Sequence, residues 1–144
     1  MKISFLSVIF TLIISNTVFS QNSLEKFLTE NRDNSPGEPL YVSIIQLISN
    51  PENFDGKVIS VTGYLKLKFE GTALYFHKED YLNRIYKNSI WLNISKDDLY
   101  KLKKECSDKY VSIIGTFKAK QNGHFGIFSG TISEIRVIDP REND

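Results

Sequence analysis

The chain has little from which to build a conventional active site: one cysteine, one tryptophan and two histidines in 144 residues. The single thiol, Cys106, excludes an intramolecular disulfide, so stability has to come from a packed core. One cysteine with His77 and His124 on separate segments falls short of the four ligands of a structural zinc site. His77-Lys78-Glu79 has the His-x-Glu spacing of a zinc deaminase, but the accompanying Pro-Cys-x-x-Cys is missing. No phosphate-cradling glycine loop leads into a helix. Gly126-Ile127-Phe128-Ser129-Gly130 lacks the Gly-x-Ser-x-Gly spacing of a nucleophile elbow. Glu79 and Asp80 are adjacent, and neighbouring residues of an extended chain point to opposite faces, so they make a poor acid–base pair. These absences predict no catalytic residues, no bound metal and no cofactor.

Charge of one sign is lacking as well. The formal net charge is +1, without the basic excess on which non-specific nucleic-acid binding runs. Long apolar runs are absent except at the start. There Lys2 supplies a positive end, Ile3 to Ile14 an apolar stretch, and Val18 and Ser20 small residues before a cleavage point. This is the pattern of a secretory signal peptide over residues 1–20. The stretch is too short for a membrane span of about 20 residues, and no cysteine follows it to carry a lipid. Neither a transmembrane nor a lipid anchor is expected, and the chain is read as exported to a periplasm or beyond the cell. Removal of Lys2 leaves 17 basic and 17 acidic residues.

What is present is a barrel pattern. Residues 21–40 read as a flexible lead-in, polar and broken by Pro36, Gly37 and Pro39, with a short helical turn possible near Ser23 to Leu28. The folded domain is expected over 41–139. Ser43 caps a short helix bearing Ile44, Ile45, Leu47 and Ile48, which Asn50-Pro51 ends. A first strand spans Lys57 to Phe69, with Ile59, Val61, Leu65, Leu67 and Phe69 inward and Gly63 marking a bend. A second carries Leu74 and Phe76 inward, Tyr75 and His77 outward. Lys78 to Asn88 reads as a long loop with a helical turn near Tyr81 to Tyr86. A third strand covers Ser89 to Ile94, with Trp91 and Asn93 outward. Ser95 and Asp98 then cap a helix whose apolar face holds Leu99, Leu102 and Cys106. A fourth strand from Tyr110 to Ala119 bends at Gly115. Asn122-Gly123 signals a tight hairpin into a fifth, about Phe125 to Ile138. Pro140 ends the ladder, and 140–144 form a charged tail.

The expected fold class is all-β with one helix: a five-stranded OB-fold Greek-key barrel in the order β-β-β-α-β-β, preceded by the short helix. The segment from Ser43 to Tyr64, with its short helix, Asn50-Pro51 turn, Phe54-Asp55-Gly56-Lys57 turn and Ile59-Ser60-Val61-Thr62-Gly63 strand, resembles the start of small exported bacterial OB-fold proteins of the nucleic-acid-binding, tRNA-anticodon-like type. That resemblance implies a fold more than a function, since OB domains host many activities.

Strand parity projects Tyr64, Lys66, Tyr75, His77, Trp91 and Asn93 outward from the first three strands, with Tyr81 and Tyr86 as a rim. On such a barrel this is the ligand face, where rings stack on the ligand and lysines meet its charges. The same rings also suit burial under the helix, the loop or a second copy, since aromatic side chains are large apolar groups. The function expected is a non-catalytic binding module for a glycan, peptide or partner protein. The alternatives are a single-stranded nucleic-acid binder and a structural or inhibitory, immunity-like interaction protein.

Overall fold

The computed structural model describes residues 38–141. The expected signal peptide, residues 21–37 of the lead-in and residues 142–144 of the tail lie outside them. Among the described residues six strands are formed: β1 (Leu40–Val42), β2 (Val58–Lys66), β3 (Ala73–Tyr75), β4 (Ser89–Leu92), β5 (Lys109–Lys118) and β6 (Thr131–Pro140). Among the described residues there are three α-helices: α1 (Ile44–Ser49), α2 (Lys78–Leu82) and α3 (Lys96–Cys106).

Five strands close a barrel in the order β2-β3-β4-β6-β5, with β5 returning to β2. All neighbours are antiparallel except β4 and β6, which are parallel. The edge of β2 opposite β5 is shared. β3 takes its second half, from Tyr64 to Lys66, and β1 lies parallel to its first half, from Ile59 to Val61. Leu40 therefore belongs to a strand rather than to the lead-in, and this strand covers backbone groups that β3 is too short to pair.

Both strand glycines stand where a neighbour approaches too closely for a side chain. A Cβ on Gly63 would sit 2.6 Å from the Tyr75 carbonyl oxygen and 2.7 Å from Ile44 Cδ1. A Cβ on Gly115 would sit 2.6 Å from Ile132 Cγ2, at the point where the β5–β6 register shifts. Each glycine thus allows a close approach that closes the barrel.

The interior is aliphatic. Ile59, Val61, Leu65, Leu67, Leu74, Ile90, Leu92, Val111, Ile113, Phe117, Ile132 and Ile138 are buried together. Helix α3 adds Leu102 and Cys106, and α1 adds Ile44 and Leu47. Both helices start as the sequence predicts. Ser43 Oγ accepts from Gln46 N while Gln46 Oε1 accepts from Ser43 N. At α3, Ser95 Oγ accepts from Asp98 N and donates to Asp98 Oδ2. Asp97 and Asp98 in its first turn and Lys103 and Lys104 in its last complement the helix dipole.

Several expectations are corrected. Phe69, expected inward, is exposed, because β2 ends at Lys66 and Glu70 turns the chain with φ of 59°. Lys78 to Leu82 form α2 instead of loop, so the barrel carries a helix beyond those expected. Asn122-Gly123 is not a two-residue hairpin. Gly123 packs against Trp91, its φ of 63° and ψ of −159° suit neither residue of a type I′ turn, and the chain wanders until Thr131 before pairing resumes. Pro140 is the last residue of β6, opposite Val111, and Arg141 N still donates to Tyr110 O.

Candidate functional site

Helix α2 decides what becomes of the outward face. It begins where Asp80 Oδ2 accepts from His77 N and Asp80 Oδ1 from Asn88 Nδ2. That buried carboxylate pins both ends of the segment, and Tyr81 and Tyr86 are laid over the strands. The result is a second, aromatic core: Tyr64, Ala73, Tyr75 and Phe128, with Tyr81, Tyr86, Trp91, Tyr110 and Ile127 packed around them. Tyr75 and Tyr81 meet edge to face at 5.4 Å, Tyr64 and Tyr110 at 5.7 Å, Trp91 and Phe128 tilted at 5.1 Å.

The six predicted site residues are therefore divided. Tyr64 and Tyr75 are only 4% and 2% exposed, and neither offers a ring face to water. Burial, with the neighbouring Asp108, pushes the Tyr64 phenol up to about 12; burial likewise pushes Tyr75 up to about 12. Lys66 donates to Asp108, which also accepts from Tyr64 Oη at 3.0 Å. The Lys66 hydrogen bond holds the Asp108 carboxyl below its ordinary value. His77 stands exposed at the start of α2, its Nδ1 3.3 Å from Tyr110 Oη. Asn93 is exposed just past β4. Tyr81 and Tyr86 are half-buried in the aromatic layer rather than on a rim. Of the six, Trp91 lines a groove.

That groove measures about 280 Å³ and lies between the β2–β3 and β5–β6 connections. Lys68 and Phe69 come from the first connection, Trp91 from β4, Lys96 from the start of α3, and His124 from the second. His124 stacks on Trp91 at 6.5 Å and meets Phe125 at 4.0 Å. Phe125 is 85% exposed in a left-handed conformation (φ 60°), between Gly123 and Gly126. Phe69 is 57% exposed, with Lys96 Nζ 4.9 Å from its ring centre. Lys68 Nζ sits 5.0 Å from the Tyr81 ring centre.

Parity reasoning missed Phe69, Lys96, His124 and Phe125. Phe69, His124 and Phe125 share a position in turns, since Phe69 precedes Glu70-Gly71 and His124-Phe125 stand between two glycines, whereas Lys96 opens α3. Among the described residues, no group of three or more His, Cys, Asp or Glu is arranged to hold a metal ion, and no helix is long and apolar enough to cross a membrane. No family model, curated protein or solved structure matches the chain.

Proposed function

We propose that the protein is an exported, non-catalytic binding domain of the OB type, which holds an extended ligand in the groove floored by Trp91. The closed five-stranded barrel with a helix between β4 and β5 is compatible with that class, which uses the corresponding connections to bind oligomers. The observation that carries the reading is a half-buried tryptophan in a groove lined by exposed Phe69 and by His124, whose neighbour Phe125 is also exposed. A large ring held exposed in left-handed backbone gives up both burial and conformational ease, a cost that functional loops commonly bear.

Trp91 is the only tryptophan, so its fluorescence reports the groove directly. Titration with glycans, oligonucleotides and cell-envelope extract is expected to shift or quench the signal with one of them. Phe69→Ala and Phe125→Ala are expected to weaken that response while leaving the unfolding midpoint in place. A saturating response unchanged in both variants would exclude the groove. Export is tested by expressing the full chain in a secreting host, where the mature product is expected to begin at Gln21; an unprocessed Met1 terminus would refute it.

A further inference from the structure

The groove carries a charge pattern that narrows its ligand. Lys68 and Lys96 both line it, and among the described residues neither makes an ion pair, whereas Lys66 is tied to Asp108 and Lys101 to Asp98. Each of the two free ammonium groups is instead parked over an aromatic ring, Tyr81 or Phe69. A cation–π contact at an exposed site contributes only about 0.5–1 kcal/mol, so it orients the lysine without satisfying its charge. An anion entering the groove meets both lysine side chains, with no ion pair among the described residues to break.

One carboxylate, Glu70, lines the same groove. It repels an evenly charged phosphate chain but accepts hydrogen bonds from hydroxyl groups. Two lysines are also few for nucleic acid, where binding rests on many phosphate contacts. Rings exposed beside hydroxyl acceptors and sparse cations suit a sugar chain with spaced acidic groups. Resting on the groove reading above, we propose that the ligand is an acidic glycan, a linear polysaccharide carrying uronic-acid carboxylates, with Lys68 and Lys96 as its carboxylate contacts.

The test is binding of the full chain to a hyaluronan oligosaccharide, in which uronates alternate with neutral sugars, to a neutral dextran oligosaccharide and to oligo-dT, read by Trp91 fluorescence and by calorimetry. The hyaluronan oligosaccharide is expected to bind at least about tenfold more tightly than either of the others. The double variant Lys68→Gln/Lys96→Gln is expected to lose about tenfold or more for it, with Lys96→Gln alone as the milder change should the double variant lose its fold. Stronger binding of the neutral glycan would overturn the acidic class and leave the groove reading intact. Stronger binding of oligo-dT would overturn the glycan. Uronate binding indifferent to both lysine variants would overturn their role. Silence with all three would overturn this proposal, and the groove reading falls separately only if envelope extract also fails to move Trp91.

Discussion

The barrel interior and the aromatic layer outside it are both buried, but they are built on different chemistry. The interior is assembled from aliphatic residues contributed by every barrel strand, so each contact is supported by several others. The outer layer hangs on one short helix and one buried carboxylate, Asp80, and five of its members are tyrosines, of which Tyr64 and Tyr110 reach polar partners through their hydroxyls. The first region makes the fold, whereas the second sets what surface the fold presents. The groove lies where the outer layer stops.

The largest expected effect is in the interior. Phe117→Ala removes a fully buried ring that packs against Gly130, and a loss of about 3–5 kcal/mol in denaturant unfolding is expected. If the loss were under about 1 kcal/mol, the division between a load-carrying interior and a surface-setting layer would fail.

Alkaline pH should strike the outer layer together with the interior thiol of Cys106, which burial pushes up to about 11. The folded-state values of Tyr64 and Tyr75 are raised above the ordinary 10.0 to about 12. Their neutral forms are thus favoured by folding, a contribution fully present below pH 10 and lost as pH rises through 12. Urea midpoints measured from pH 9 upward should fall over this window, and Tyr75→Phe should flatten the fall. An unchanged slope in Tyr75→Phe would mean that its burial is not what raises the phenol.

A smaller loss is expected for Asp80→Ala, which unties His77 N and Asn88 Nδ2. About 1–2 kcal/mol should be lost, together with near-ultraviolet circular dichroism from the tyrosines, while the β signal persists. Loss of the β signal would make α2 part of the barrel rather than its cover. The smallest effect belongs to Phe125→Ala, expected to change stability by less than about 0.5 kcal/mol. A large loss there would show that the exposed tip is structural.

The interior was legible because strands leave a period of two in sequence, and a closed barrel buries one parity consistently. Ile59, Val61, Leu65, Leu74, Ile90, Val111 and Ile113 all follow it. Caps at Ser43 and Ser95 were legible because they are made within a few residues. The other parity was not legible. Whether Tyr75 or Trp91 meets water depends on where α2 lies and on Phe128, which is remote in sequence from β3 and β4. Phe69 left its parity because the strand ended before it. The Asn122-Gly123 signal was overridden by packing of Gly123 on Trp91, a contact that no local pattern encodes.

The sequence by itself thus determined the inner face of the barrel strands, the two close-packed glycines and the capped starts of α1 and α3, all set by local sterics and periodic burial. Only the tertiary structure decided which outward residues stay outside. It placed Tyr64 and Tyr75 beneath a second layer and left Trp91 open beside Phe69, Lys68 and Lys96, because burial of a strand's outer face depends on what else in the chain comes to lie over it.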